Sequence, residues 1–238
     1  MKRRAGLAEF KFIETLEMAK YSAVANEYYN PELHPTCADF RSASVYFLRR
    51  AFLRVLPSGR IADIGCGESL LAKFIKENLV LIDESEEMLD RNFGTFEKRC
   101  VDIVLDAFGS SEFDWIFAIL GDPFNVDDCW RHISIALKEG GRCVFVVPSH
   151  EWAIRFRRAA LTERSGYARF ELARGETVYL PSFIYSERDQ ASMIAEAGLK
   201  LQGVDHVYLR DIEEIKSPKV SEYLSDSDPL LDIYSAEK

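Results

Sequence analysis

Arg60-Ile-Ala-Asp-Ile-Gly-Cys-Gly-Glu-Ser69, followed by Leu79-Val-Leu-Ile-Asp83, decides the fold of this chain. An apolar run enters a Gly-x-Gly turn and a helical pattern. A second short apolar run then ends in a lone carboxylate. Strand, glycine turn, helix, strand, acid is the order by which a doubly wound sheet holds a nucleoside-containing cofactor. Glycines let the backbone approach the ligand, and the acid accepts from ribose hydroxyls.

The flanking sequence continues the alternation. Phe113 to Leu120 is an apolar run broken only by Asp114, as expected of a central strand buried on both faces. Arg142 to Val147 is another, ended by Pro148. The pattern predicts strands at 60–64, 79–83, 100–102, 113–120, 142–147 and 199–209, with helices over 68–77, 85–92, 126–138, 150–161 and 186–197. Glu139-Gly-Gly141 and Gly198 read as helix stops, and Ser186 as a helix cap. Before the first strand, apolar residues at helical spacing (Phe12, Leu16, Ala19, Ala23) predict a helix over 8–30, and residues 38–55 predict a second. Alternation over 168–184 predicts a hairpin around Ala173-Arg-Gly175. The expectation is an α/β, Rossmann-like, doubly wound and mostly parallel seven-stranded sheet with an N-terminal helical cap (1–56), a cofactor-binding core (57–149), a lid insertion after strand five (150–184), a closing helix and strand (185–216) and a poorly packed polar tail (217–238).

Composition narrows the class of protein. With 238 residues, 47% of them hydrophobic, the chain suits one domain around a buried sheet. No apolar run reaches the roughly 18 residues of a membrane span, and the basic start Met1-Lys-Arg-Arg4 leads into an amphipathic acidic stretch unlike a signal peptide, so a cytoplasmic protein is expected. Cys37, Cys66, Cys100, Cys129 and Cys143 form no Cys-x-x-Cys, so neither a disulfide framework nor a metal site is indicated. A net charge of −9 argues against nucleic acid as a partner. One segment differs: Arg155, Arg157, Arg158, Arg164, Arg169 and Arg174 read either as a solvated face beside Glu151, Glu163 and Glu171 or as a clamp for an anionic acceptor.

The turn itself discriminates between cofactors. A dinucleotide fingerprint wants a third small residue where this chain has Leu70, and a pyrophosphate disfavours Glu68 at the helix start. Asp63, just before the turn, suits a cationic ligand. Asp63-Ile-Gly-Cys-Gly-Glu-Ser69 resembles motif I of class I S-adenosylmethionine-dependent methyltransferases, with Ser69 in place of the third glycine, and Leu81-Ile-Asp-Glu-Ser-Glu-Glu-Met-Leu89 resembles their second motif. Leu137-Lys-Glu-Gly-Gly-Arg142 is similar to the turn before their fifth strand, so the resemblance spans about residues 60–148. It implies S-adenosyl-L-methionine as cofactor and gives roles by position. Asp63 would orient the amino group, Gly65 and Gly67 would approach the methionine part, and Asp83 would accept from the ribose. Asp102 would accept from the adenine amino group, with Met88 and Ile103 flanking the ring, and Leu120 and Arg41 would complete the site, Arg41 at the cofactor carboxylate.

The acceptor is less defined. Leu120-Gly-Asp-Pro-Phe-Asn125 lies at the carboxyl edge of the sheet and is faintly similar to the Asp-Pro-Pro-Tyr of amino-group methyltransferases, making Asp122 a candidate catalytic acid and Phe124 and Asn125 candidate acceptor contacts. Tyr28 and Tyr29, in an N-terminal tyrosine-rich segment, are candidates to fold over the site, and loop residue His34 is the best candidate base. Arg155 and Tyr179, in the insertion, are further candidate acceptor contacts, whereas His132 and His206 read as structural. The favoured acceptor is a small molecule methylated at O or N. A peptide or nucleic-acid acceptor, or a non-catalytic cofactor-binding scaffold, are the alternatives, and a homodimer is compatible with either.

Overall fold

The computed structural model describes residues 19–159 and 166–238. Five strands run parallel: β1 (Ile61–Ile64), β2 (Leu79–Asp83), β3 (Glu97–Cys100), β4 (Phe113–Ile119) and β5 (Leu137–Pro148). After the hairpin β6 (Gly166–Glu171) and β7 (Thr177–Ser182), the chain adds β8 (Lys200–Tyr208) and β9 (Pro229–Glu237), giving the sheet order β3-β2-β1-β4-β5-β9-β8. β9 is antiparallel to both its neighbours. The order reverses between β1 and β4, the switch point at whose carboxyl ends ligands bind in such sheets.

Side-chain alternation places half of each central strand in each of two cores. On one face Ile61, Leu81, Phe117 and Val146 meet Phe40 and Leu48 of α1 (Pro35–Arg54) and Trp152 and Phe156 of α3 (His150–Ala159). On the other, Ala62, Ile82, Ile116 and Phe145 meet Trp130 and Ile133 of α2 (Asp127–Ala136) and Ile194 of α4 (Glu187–Glu196). Each large side chain buried this way stabilises by about 1.5–3 kcal/mol. Local signals set the ends of α4: the Ser186 hydroxyl accepts from the Asp189 amide at 3.2 Å, and Gly198 takes φ +80° past its last turn. The hairpin turns at Ala173–Gly175 as read from sequence.

Several expectations need correction. Of the helix expected over 8–30, residues 8–18 lie outside the described residues, and the remainder is a 3-10 turn (Tyr21–Val24) followed by turns; the Asn30 side chain then takes the Glu32 and Leu33 amides ahead of Pro35. The helix expected over 68–77 shrinks to a 3-10 turn, Leu71–Lys73. Only residues 65–78 join β1 to β2, and a ten-residue helix, about 15 Å long, would leave a single residue for the return. β3 lies earlier than expected, at Glu97–Cys100, because an edge strand of exposed charges carries no apolar signal. α2 stops at Ala136, so Glu139–Gly141 lies within β5, where the register with β4 shifts. The stretch expected to be a loose tail ends in β9, whose Leu230, Leu231, Ile233 and Tyr234 are buried between β5 and β8. Its apolar residues, Leu230, Leu231, Ile233 and Tyr234, are interrupted by Asp232 and follow a serine- and acid-rich stretch, so no strand signal stood out.

Candidate active site

At the carboxyl ends of β1, β2 and β4 lies a cavity of about 420 Å³, within the range of small-molecule sites. Its floor is the glycine turn. One wall is the end of β2 with residues 101–105, and the other is the end of β4 with Pro123 and Phe124. Residues 19–29 and the end of β7 form the roof, held together as Val24 packs with Leu172 and Leu180 and as the Ala19 amide donates to the Tyr179 carbonyl at 3.0 Å.

The floor requires its glycines. Gly65 and Gly67 take φ +58° and +49°, and a Cβ at either would collide, with the Phe124 ring or with the Tyr29 hydroxyl respectively. Side chains then lock the turn. The Asp83 carboxylate accepts from the Gly67 amide at 2.8 Å and the Ser85 amide at 3.0 Å while lining the cavity. Burial raises its pKa, and these two bonds oppose the rise. Asn92 accepts from the Ser69 amide at 2.8 Å and donates to the Gly67 carbonyl at 2.6 Å. Asp63 is 1% exposed, and the Ser69 hydroxyl donates to its Oδ2 at 2.5 Å. Burial pushes the Asp63 carboxyl up to about 7.

Arg41, reaching in from α1, donates to the Glu68 carbonyl at 3.1 Å and lies 4.5 Å from the centre of the Tyr29 ring. The Tyr29 hydroxyl accepts from the Glu68 amide at 2.6 Å and sits 3.5 Å from the Met88 sulfur. Burial pushes that hydroxyl up to about 12, so it stays protonated at neutral pH. At the other end, Asp102 accepts from the Val104 amide at 3.1 Å and lines the cavity with buried Ile103 and Met88. Leu120 also lines it, in the left-handed region at φ +61°, a strained conformation for a non-glycine residue at the end of the central strand.

Among the expected acceptor contacts, Tyr28, Tyr29 and Phe124 line the cavity. The others do not. Asn125 is fully buried as a structural tie: its amide donates to Gln190 at 2.7 Å and to the Phe183 carbonyl at 3.1 Å, and its oxygen accepts from Trp130 at 2.8 Å. Arg155 points away, donating to Asp228 and Glu151, each at 2.7 Å, so it is a surface tie and not a clamp. Arg157 donates to the carbonyl and hydroxyl of Ser182, each at 3.0 Å. The Tyr179 side chain is not part of the lining. His34 packs its ring 4.9 Å from Phe170, outside the lining, and burial lowers its pKa. Asp122 sits behind Pro123 with its carboxylate taken by the Ser182 hydroxyl at 2.6 Å and its carbonyl by the Phe183 amide at 2.7 Å, while burial pushes its carboxyl up to about 6. His132 and His206 are structural, bonded to the Ile103 carbonyl and to Asp232.

Sequence reasoning missed Asn92, whose one signal is its place just past the helical turn capped by Ser85, four residues after Met88. It also missed Pro181, which brings the hairpin's end into the lining. Among the described residues, no cluster of acidic, histidine or cysteine side chains could hold a metal ion, and no helix is long and apolar enough to cross a membrane.

No family model matches the sequence, and no curated protein does. Solved structures do match. A S-adenosylmethionine-dependent methyltransferase from Mesorhizobium loti superposes with a TM-score of 0.59 at 19% identity, covering 84% of this chain and 100% of its own. One from Clostridium acetobutylicum gives 0.58 at 15% identity, covering 91% and 98%. DhpI, in a complex described as DhpI-SAM-HEP, gives 0.61 at 19% identity and covers 99% of both chains. The chain therefore carries the Rossmann-like fold of the S-adenosylmethionine-dependent methyltransferases.

Proposed function

We propose that this protein is a S-adenosylmethionine-dependent methyltransferase that transfers a methyl group to O or N of a small-molecule acceptor. The observation that carries this reading is the disposition of charge around one cavity: Asp83 beside the glycine turn, Asp102 at the far end, and Arg41 at the near end. One further feature fits the cofactor: the turn is shaped so that side chains at Gly65 and Gly67 would collide, whereas Asp63 lies buried behind the turn and outside the cavity lining. The fold shared with methyltransferases supports the same class.

The cofactor, when bound, supplies an electrophilic methyl group on a sulfonium. Asp83 would accept from the ribose hydroxyls and Asp102 from the adenine amino group, Met88 and Ile103 would flank the ring, and Arg41 would meet the carboxylate of the amino-acid part, while Asp63, buried outside the lining, would support the turn from behind. Tyr28, Tyr29 and Phe124 exclude water and present the acceptor in line, so the rate comes mainly from positioning and desolvation. With Asp122 already bonded and His34 outside the lining, no general base is assigned. The net charge of −9 and the partly roofed cavity favour a small acceptor over nucleic acid.

The test is release of S-adenosylhomocysteine from S-adenosylmethionine across a panel of hydroxyl and amine small molecules, peptides and RNA. Turnover with a small molecule is expected. Turnover confined to RNA or peptide would replace the acceptor class, and cofactor binding without turnover anywhere would favour the scaffold reading.

A further inference from the structure

Charge divides the cavity into two sides. Asp83, Glu84 and Asp102 stand on the wall formed by the end of β2 and residues 101–105. Lys20 pairs with Glu84 at 3.1 Å, and Arg41 pairs with Glu68 of the floor at 3.5 Å. Among the described residues, no other side chain in the lining is charged. The side towards β4 is lined instead by Pro123 and Phe124, by Tyr21 and Tyr28 of the roof, and by Pro181 and Phe183 at the end of the hairpin. These residues form one patch. The Phe183 amide donates to the Asp122 carbonyl at 2.7 Å, the Tyr21 hydroxyl donates to the Pro181 carbonyl at 3.4 Å, and the Tyr21 and Tyr28 rings meet edge to face at 5.7 Å. Burial raises the pKa of both tyrosines well above the ordinary value, so the patch stays neutral. The ionic groups behind it satisfy one another: the Asp122 carboxylate accepts from Ser182 at 2.6 Å, and Arg157, which donates to the same hydroxyl, favours its charge.

We propose that the acceptor is an uncharged aromatic molecule, held by this patch and methylated at a hydroxyl or at an aromatic amine. The proposal rests on the methyltransferase reading above and narrows its small-molecule acceptor to one chemical class. A charge taken out of water without a partner is costly, and the patch offers no counter-charge to a carboxylate, a phosphate or an ammonium group. That excludes most aliphatic amines, which with a pKa of about 10 are ammonium ions at neutral pH. Phenols, benzylic alcohols and anilines are neutral there. Rings and prolines suit a flat apolar partner, since aromatic side chains gain from ring contacts beyond the area they bury. The lining arginine, Arg41, lies on the floor side, and the insertion's Arg155 and Arg157 lie outside the lining, so none is left to hold an anion at the patch. In the transfer a lone pair on the acceptor oxygen or nitrogen forms the new bond to the methyl carbon. The carbon–sulfur bonding pair stays on sulfur, which becomes a neutral thioether, and the acceptor's proton passes to solvent.

The experiment gives the full chain S-adenosylmethionine and a panel of phenols, benzylic alcohols and anilines, each matched to a carboxylate and an ammonium counterpart. Para-cresol against para-hydroxyphenylacetate and tyramine is one such set. Initial rates follow release of S-adenosylhomocysteine, and saturation-transfer NMR follows binding of the same probes to the chain loaded with S-adenosylhomocysteine. Neutral members should bind and turn over, and their charged counterparts should be weaker by roughly a hundred-fold or more in kcat/KM, the effect of an uncompensated buried charge. Phe183→Lys puts a cation on the patch while keeping the backbone bonds of residue 183. It should move preference towards the carboxylate member by roughly ten-fold or more and leave S-adenosylhomocysteine affinity unchanged. A wild type that prefers a charged member would overturn the proposal, as would silence of every neutral member in both assays. An unshifted preference in Phe183→Lys would overturn it too, by placing the acceptor elsewhere. Failure of the wild type to bind S-adenosylhomocysteine is a different result: it removes the methyltransferase reading itself.

Discussion

Replacing Asp83 by Asn separates the cofactor role of this residue from its structural one. In the structure one carboxylate oxygen receives the Gly67 amide at 2.8 Å and the other receives the Ser85 amide at 3.0 Å, and the group lines the cavity. Asparagine keeps one acceptor oxygen, so one of the two amides loses its partner. That costs about 1–3 kcal/mol, which for a domain of this size lowers the melting temperature by about 2–4 °C per kcal/mol. On binding, the variant also loses a charged acceptor for the ribose hydroxyls. At about 1.5–3 kcal/mol for a charge-assisted bond, S-adenosylhomocysteine affinity should fall by roughly ten- to hundred-fold or more. Calorimetry gives the affinity and a thermal melt gives the stability. A variant that melts several degrees lower yet binds S-adenosylhomocysteine within threefold of wild type would refute the reasoning, because the carboxylate would then be a structural tie and nothing else.

Asn125→Ala should destabilise the fold by about 1–3 kcal/mol, since it leaves the buried Gln190 and Trp130 groups unpaired. Urea unfolding measures this, and S-adenosylhomocysteine affinity should be unchanged. Arg155→Ala should alter neither cofactor affinity nor turnover with any acceptor found, because its guanidinium is committed to Asp228 and Glu151; a changed KM for the acceptor would restore the clamp. His206 gains a proton-favouring partner in Asp232, so its pKa is raised. Its stabilising contribution is fully present below the ordinary histidine value of about 6.5 and is lost as pH rises through the raised value. The stability gap between wild type and His206→Gln, from denaturant melts, should therefore be wider at about pH 6 than at about pH 8.

The parts of this fold legible in the sequence are those where a short stretch carries its own physical reason. Ile61–Ile64 and Phe113–Ile119 lie in the middle of the sheet and read as runs apolar but for one aspartate each, Asp63 and Asp114, and Asp83 ends its strand where the chain must turn towards the ligand. Arg41, Tyr28, Tyr29 and Phe124 were also found, brought to the cavity by three separate segments of the chain. What stayed hidden depends on partners distant in sequence. β9 is a central strand only because β5 and β8 flank it. Asn125 and Asp122 sit in a motif at the mouth of the sheet, yet Gln190 and Ser182, some sixty residues on, draw their side chains away. Arg155 looked like part of a basic clamp until the turn near Asp228 folded back onto it. The role of Asn92 could not be read locally, because the amides and carbonyls it serves belong to the turn after β1.

The central claim is that this cavity holds S-adenosylmethionine. Calorimetric titration of the wild-type chain with S-adenosylhomocysteine tests it most directly, with NADH as the competing titrant. The account predicts saturable binding at one site per chain and no heat from NADH. Tight NADH binding with no response to S-adenosylhomocysteine would contradict it.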